Sequence, residues 1–142
     1  MAPKPLLVIA GPTASGKTPL AVAVSQLLGG EIISADSMQV YQHLSIGTAK
    51  PSIEELQDIP CHLIDHISPD DQYNLGRFVS EASAAIESIR ARDRLPVICG
   101  GTGMYIRGLI YGVFEGGEPP LEIREELETI AAREGLAPLY AE

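Results

Sequence analysis

The chain has 142 residues, of which 45% are hydrophobic and 20% charged, a composition typical of one globular domain. Its net charge of −9 argues against broad nonspecific binding of nucleic acid, which depends on Lys and Arg contacts to phosphates. No apolar run reaches the roughly 20 residues that span a bilayer, and the N-terminal segment lacks the features of a secretory signal. We therefore expect a cytoplasmic protein without a membrane partner.

The charge is unevenly distributed along the chain. Residues 1–50 carry three lysines and two acidic residues, whereas residues 51–142 carry seven arginines and seventeen acidic residues. The N-terminal part is therefore the less acidic one, and it also contains the most specific motif of the chain.

The first predicted elements are a strand, a loop and a helix. The apolar run Leu6–Ala10 predicts a buried strand, and the apolar pattern of 17–28 predicts a helix. Between them, the sequence GPTASGKT matches the phosphate-loop pattern Gly-x-x-x-x-Gly-Lys-Thr. Gly11 and Gly16 permit backbone angles that are closed to other residues, so that the loop amides turn towards an anion at the helix N-terminus.

This loop predicts a site for a diphosphate or a triphosphate. Lys17 is placed to lie along the terminal phosphates, and the Thr18 hydroxyl is placed to bind Mg²⁺ between two phosphate oxygens. Pro19 fits the first turn of the helix but removes an amide that could otherwise reach a phosphate oxygen. The predicted phosphate-binding residues are Gly11, Pro12, Thr13, Ala14, Ser15, Gly16, Lys17 and Thr18.

Strands and helices alternate along the next part of the chain. The patterns predict a strand at 31–36, a polar loop with a short helix capped by Ser52, a strand at 61–67, an amphipathic helix at 74–93, a strand at 95–101 and a helix within 102–112. The apolar side of the amphipathic helix comprises Phe78, Ala82, Ala85, Ile86 and Ile89. Apolar strands without polar alternation indicate a parallel sheet. The predicted fold class is α/β, a parallel sheet with helices on both faces that is similar to the P-loop NTPases.

The character of the sequence changes at Glu115. Residues 115–142 contain eight acidic residues and two arginines, and 120–135 predict a helix that begins at a proline and ends at Gly135. The last residues predict the beginning of another helix, without a terminal cap. We therefore expect a phosphate-loop core at 1–114 and the start of a helical module at 115–142.

Polar residues follow the predicted strands at 31–36 and 95–101. Asp36 is placed to act as a general base, as an outer ligand of Mg²⁺ or as a loop cap. Gly100, Gly101 and Gly103 let the backbone approach a ligand closely, and the Thr102 hydroxyl can donate to a phosphate oxygen. Because ligands of parallel sheets bind at the carboxyl ends of the strands, we expect these residues to converge with the phosphate loop.

The cysteines and histidines show no metal-ligand spacing. Cys61 and Cys99 are isolated in the sequence, so we expect reduced, buried thiols and no zinc site. His43, His62 and His66 share no helical face, and structural or solvent-facing roles are favoured for each of them.

Two features of the chain leave alternatives open. Gln39 and Tyr41 alternate with apolar neighbours, which fits either a strand extension or a surface that reads the edge of a base. Asp65 follows an apolar run, as does the carboxylate of phosphate-loop ATPases. A small-molecule or nucleotide kinase with Asp65 or Asp36 near Mg²⁺ therefore remains open on these residues alone.

Four segments taken together resemble the tRNA dimethylallyltransferases, also called isopentenyltransferases. They are GPTASGKT, ISADSMQVYQHLSIGTAKP, HLIDHISPDDQYNLGRF and PVICGGTGMYIRGLIYG, in this order. The resemblance covers Leu6 to about Gly112 and continues weakly to Arg124. It implies that the phosphate loop holds the diphosphate of dimethylallyl diphosphate. It also implies transfer of the prenyl group to N6 of the adenosine on the 3′ side of the tRNA anticodon.

The resemblance assigns roles to matching residues of this chain. It implies that Asp36 is the general base on the adenine amine and that Lys17 and Thr18, with Mg²⁺, stabilise the diphosphate. It implies that Thr102 is a further contact at the reaction centre. The implied catalytic residues are Asp36, Thr102 and Lys17. The implied tRNA contacts are Asp36, Ser37, Met38, Gln39, Thr102 and Arg124.

Two departures from the family bear on these expectations. Pro19 stands where a residue other than proline is expected after the phosphate loop, and family members are much longer than this chain. Three functions follow: prenyl transfer to tRNA, incomplete if the chain is a truncated member; a kinase; or a truncated diphosphate-binding module without turnover.

Overall fold

The computed structural model describes residues 5–113 and 120–140. The strands are β1 (Leu7–Ala10), β2 (Gly30–Ser34), β3 (Cys61–His62) and β4 (Leu95–Gly100). The helices are α1 (Lys17–Leu28), α2 (Ile53–Leu56), α3 (Leu75–Ala91), α4 (Gly103–Tyr111) and α5 (Leu121–Glu134), and a 3₁₀ turn spans Ala137–Tyr140. Across this described part of the chain, no helix has the length and apolar character needed to cross a membrane.

The four strands form one parallel sheet in the order β1-β4-β2-β3. β4 pairs with β1 on one side and with β2 on the other, so that Val97 lies opposite both Leu7 and Ile32. Every residue of β2 is buried, as are the last five residues of β4. The apolar strands of the sequence are therefore central strands, and the parallel α/β fold is confirmed.

Helices cover both faces of the sheet. Ile33 and Ile98 belong to one buried cluster, together with residues of α3 and α4. Ile32 and Val97, their neighbours along the strands, belong to a second cluster with residues of α1. Because successive side chains of a strand point to opposite faces, this alternation confirms the prediction of helices on both sides.

Helix α3 forms where the sequence places it. The Asn74 side chain accepts the Arg77 N–H at 2.9 Å and so satisfies one free amide of the first turn. Its buried residues are Phe78, Ala82, Ile86 and Ile89, and Ala85 is partly buried beside them. The Phe78 ring stacks on Tyr105 of α4 with centroids 4.4 Å apart, which fixes α4 against α3.

The strand predicted at 61–67 is wrong beyond His62. Leu63 and Asp65 have left-handed backbone angles, with φ of 59° and 51°, which an extended strand does not allow. The chain returns to regular pairing only at Ile67, which bridges to Tyr41. The segment thus crosses the edge of the sheet as a bent connection.

The C-terminal helix agrees with the sequence in its bounds. α5 follows Pro120 and ends before Gly135, whose φ of 79° suits glycine. α5 has no buried residue and packs against the 3₁₀ turn that stands where a further helix was expected to begin. The predicted boundary between 1–114 and 115–142 falls at residues outside the described ranges, and it stays a prediction.

Substituting Gly100 with alanine should strongly destabilise the protein. A Cβ at this position would lie 2.2 Å from the backbone oxygen of Ala35, so the ends of β2 and β4 would have to separate. We expect Gly100→Ala to lower the free energy of unfolding by about 3 kcal/mol or more in urea titrations. Gly103→Ala is the matched control because no atom lies within 4 Å of its Cβ position. A Gly100→Ala variant as stable as this control would contradict the prediction.

The buried carboxylate of Glu31 links β2 to β3 and to the residues just before β4 at the amino end of the sheet, the end opposite Gly100. The Glu31 side chain is 5% exposed and accepts hydrogen bonds from His62 Nε2 at 2.7 Å and from Arg92 Nη2 at 2.8 Å. Arg94 Nε lies 3.4 Å from the other carboxylate oxygen. Burial raises the pKa of Glu31, but the bonds from Arg92 and His62 outweigh it, so the pKa lies below its ordinary value of 4.5.

The Glu31 cluster should make folding stability fall in acid. A carboxyl with a lowered pKa stabilises the fold fully above pH 4.5, and this stabilisation is lost as the pH falls through the folded-state pKa. We expect Glu31→Gln to cost about 1–3 kcal/mol at pH 7 and to flatten the acid limb of the stability profile. Glu87→Gln removes a carboxylate that is 75% exposed and should change little. Equal profiles for the two variants would refute this role.

Candidate functional site

The phosphate loop joins β1 to α1 and opens at the carboxyl end of the sheet. Gly16 has a φ of 82° and caps α1, whereas Gly11 does not have a positive φ. The expectation of an unusual backbone angle at Gly11 is therefore wrong, and a Cβ there would make a tight contact of 3.0 Å with Ser15 Oγ. The other left-handed residue of the loop is Ala14, with a φ of 62°.

Lys17 and Pro19 occupy the first turn of α1. The Lys17 ammonium donates to the backbone oxygen of Pro12, so the side chain folds back across the loop. The first helical bond is donated by Leu20 to the oxygen of Gly16. An amide at position 19 would have no partner within the helix, so Pro19 costs no helical hydrogen bond.

A cavity of about 300 Å³ lies beside the phosphate loop. Its lining comprises Thr13, Ala14, Ser15, Gly16, Lys17, Thr18, Pro19, Asp36, Gln39, Thr48, Ala49, Glu55, Cys99, Gly100 and Gly101. The structure thus brings six of the eight predicted phosphate-binding residues together with Asp36. Gly11 and Pro12 do not line the cavity. The backbone oxygen of Pro12 accepts a hydrogen bond from Lys17 Nζ.

Asp36 lies two residues after the end of β2, and its two carboxylate oxygens have different surroundings. One carboxylate oxygen, Oδ1, accepts the N–H groups of Met38 at 2.8 Å and Gln39 at 3.1 Å, which holds the following turn. The second oxygen has no hydrogen bond to any residue of the described ranges. A loop cap and a free acceptor in the cavity are therefore combined in one side chain.

Thr102 connects two loops and does not line the cavity. Its Oγ1 accepts the Ser37 N–H at 3.0 Å, and its own N–H donates to the oxygen of Ala35 at 3.1 Å. The loops that follow β2 and β4 are therefore bonded to each other directly beside Asp36. In this geometry the Thr102 hydroxyl supports the Asp36 turn. The contact between Thr102 and a phosphate oxygen stays a prediction.

The other predicted tRNA contacts are spread over the surface. Met38 is 50% exposed beside the cavity, whereas the Gln39 side chain bonds to the backbone of Thr48 and Ala49. Arg124 is on α5, where its exposed guanidinium pairs with Glu128 at 3.0 Å. The structure does not bring Arg124 to the cavity.

Asp65, the second carboxylate considered for Mg²⁺, is directed elsewhere. It accepts from Lys50 Nζ at 2.7 Å, and this hydrogen bond holds its pKa below the ordinary value. It does not contribute to the cavity lining. The kinase interpretation therefore retains only Asp36.

Sequence reasoning missed four residues of the cavity wall: Thr48, Ala49, Glu55 and Cys99. The Glu55 carboxylate accepts the Ser52 N–H at 2.8 Å while Ser52 Oγ accepts the Glu55 N–H, so the predicted Ser52 cap is a complete capping box. That capping box was a visible signal for the position of α2. No local pattern marked Thr48 and Ala49, because their place depends on bonds to a distant side chain.

The oxygen donors of the cavity fit a magnesium ion that arrives with a phosphate ligand. Thr18 and Asp36 supply a hydroxyl and a carboxylate to the same space. The described residues contain no group of three or more His, Cys, Asp or Glu side chains able to hold a metal by themselves. Mg²⁺ in phosphate sites keeps several waters and takes one or two protein oxygens plus those of the phosphates, so a sparse donor set is compatible with it.

Comparison with known protein families shows which family the chain belongs to. A family model described as IPP transferase matches residues 39–142, and one described as isopentenyl transferase matches residues 4–68. The chain belongs to the IPP transferase family. The first match alone covers more than half of the chain.

Individual relatives agree with this assignment. The tRNA dimethylallyltransferase of Anaeromyxobacter dehalogenans strain 2CP-C is 52% identical over 136 residues, which are 96% of this chain and 46% of that protein. That of Myxococcus xanthus strain DK1622 is 53% identical over 94% of this chain and 44% of its own length. The chain therefore spans about half the length of the relatives that it matches.

Solved structures of similar proteins share the fold. The full-length tRNA isopentenylpyrophosphate transferase of Bacillus halodurans superposes with a TM-score of 0.79 at 39% identity, covering 98% of this chain and 46% of that one. A eukaryotic dimethylallyltransferase acting on tRNA gives a TM-score of 0.76 at 32% identity, covering 93% and 36%. Both match nearly all of this chain with less than half of their own.

Proposed function

We propose that this protein forms the donor-binding part of a tRNA dimethylallyltransferase. The reaction is transfer of a dimethylallyl group from dimethylallyl diphosphate to N6 of the adenosine on the 3′ side of the anticodon. The observation that carries the proposal is the single cavity in which the phosphate loop and Asp36 meet. The phosphate loop and a carboxylate lie side by side there, which supports a transfer with a diphosphate leaving group.

The phosphate loop serves the leaving group in this proposal. Loop amides and the N-terminus of α1 attract the diphosphate, and Lys17 exchanges its bond to the Pro12 oxygen for one to a phosphate oxygen. Negative charge develops on the diphosphate as the carbon–oxygen bond breaks, and these groups stabilise it. Mg²⁺, held by Thr18 together with the phosphates, would supply further positive charge there.

Asp36 serves the acceptor. The adenine N6 attacks C1 of the dimethylallyl group, the bond from C1 to the diphosphate oxygen breaks, and its electron pair leaves with the diphosphate. The N6 proton passes to the carboxylate oxygen of Asp36 that is not bonded to Met38 and Gln39. The hydrogen bonds from Met38 and Gln39 keep the carboxylate in place while its second oxygen accepts the proton.

The tRNA contacts belong to the proposal as well. Asp36 lines the cavity, and Ser37 and the half-exposed Met38 follow it in the same turn, where an adenosine extruded from its stack would enter. Thr102 acts there through its bond to Ser37. Arg124 would contact the tRNA elsewhere along the anticodon arm, on the surface of α5. A cytoplasmic location follows from such a substrate.

Two alternatives use the same cavity. A kinase would bind ATP in the phosphate loop, but the family assignment and the position of Asp65 both disfavour it. A diphosphate-binding module without turnover would use the same phosphate loop without proton transfer to Asp36. The transferase and the binding module differ in whether labelled dimethylallyl is transferred to unmodified tRNA.

Binding of the donor should depend on Lys17. With Mg²⁺ present, calorimetry should detect binding of dimethylallyl diphosphate and pyrophosphate, and Lys17→Ala should abolish it because the charge that meets the phosphates is removed. Arg124→Ala removes the same charge from the distant α5 and should leave this binding unchanged. Phosphoryl transfer from ATP to a small acceptor, without any response to dimethylallyl diphosphate, would overturn the proposal.

Turnover should depend on Asp36 as a proton acceptor. In the transfer assay, Asp36→Asn keeps the shape and the turn bonds, so diphosphate affinity should hold while kcat falls by about 10²–10⁴. Asp65→Asn, the same change outside the cavity, should have little effect. If Asp36→Asn altered only the unfolding transition, the carboxylate would be a loop cap alone. Diphosphate binding without any transfer by the wild-type chain would favour the binding module.

A further inference from the structure

The side chain of Gln39 is fully engaged within the protein. Its Nε2 donates to the backbone oxygens of Thr48 and Ala49, both at 3.1 Å, and its Oε1 accepts from Ser34 Oγ at 3.5 Å. A primary amide carries two N–H donors, and both are used here. To read the edge of a base, Gln39 would have to give up these bonds.

The two carbonyl groups belong to a turn at residues 44–50, which we call the wall turn. Thr48 and Ala49 line the phosphate cavity, so the wall turn forms one of its sides. Within the turn, Thr48 Oγ1 donates to the oxygen of Leu44, and Ala49 has a left-handed φ of 49°. Most of its residues are exposed, and Ile46 is 98% exposed, so apolar packing does little to hold it.

Two side chains, those of Lys50 and Gln39, hold the wall turn in place by hydrogen bonds. Lys50 bonds to the oxygen of Tyr41 and to Asp65, which anchors the last residue of the turn. Gln39 instead bonds to the two residues that face the cavity and is itself bonded to Ser34, a buried residue of β2. The position of the cavity wall relative to the phosphate loop therefore depends on Gln39.

We propose that Gln39 is a positioning residue for the diphosphate, acting through the wall turn and not through contact with a base. The inference rests on the proposed function because it takes a diphosphate to be the occupant of the cavity. A wall that is already held in place loses little conformational freedom on binding, whereas a released wall must be ordered by the ligand. Loss of the two bonds should therefore appear as weaker diphosphate binding.

Two substitutions separate the bonds from the bulk of the side chain. Gln39→Leu removes both donors at similar volume, and Gln39→Glu keeps the shape but turns an acceptor-only carboxylate towards two carbonyl oxygens. With Mg²⁺ present, we expect the Kd for pyrophosphate to rise about tenfold in Gln39→Leu and further in Gln39→Glu. In the free protein, amide hydrogen exchange at 44–50 should accelerate in both variants.

Gln42→Leu is the matched control, since it makes the same change three residues along, at a side chain that neither lines the cavity nor has a hydrogen bond to the described residues of the wall turn. It should leave both the pyrophosphate Kd and the exchange at 44–50 at wild-type values. Unchanged affinity in Gln39→Leu, or unchanged exchange at 44–50, would overturn the positioning role and return Gln39 to base reading. If the wild-type protein bound no pyrophosphate, the proposed function would fail, and the exchange comparison would still decide whether Gln39 holds the wall turn.

Discussion

The ends of β2 and β4 approach each other so closely that no side chain fits between them. The Cβ position of Gly100 falls 2.2 Å from the oxygen of Ala35, and the N–H of Ala35 donates to Cys99 at 2.8 Å. That same Ala35 oxygen accepts the Thr102 N–H. The loops that leave the two strands therefore start side by side, and Asp36 is brought to the phosphate loop by backbone contacts rather than by its own side chain.

Much of this arrangement could be predicted from the sequence. The apolar patterns predicted α1 and α3, and Ser52 marked the start of α2, because these signals act within a few turns of chain. The bend at Leu63 could not be predicted, since the residues just after it bond to Gln39 and Val40, which are distant in the chain. The bond between Thr102 and Ser37 spans 65 residues and leaves no local pattern.

The electrostatics of the cavity set a condition on any phosphate ligand. Lys17 is the one cationic side chain among the lining residues, and Asp36 and Glu55 are two carboxylates. A diphosphate entering this space adds further negative charge, which loop amides and the end of α1 offset only in part. The balance supports a ligand that arrives together with a divalent cation.

The position of β1 bears on how firmly the phosphate loop is held. β1 lies at the edge of the described sheet, is four residues long, and is paired on one side only, with β4. None of its four residues is fully buried, in contrast to the central β2. The strand that carries the loop is thus the least restrained long strand of the sheet, and small displacements of β1 translate directly into displacements of the loop amides. Any contact that restrains the outer edge of β1, from whatever chain, would therefore also restrain the position of the phosphate-loop amides.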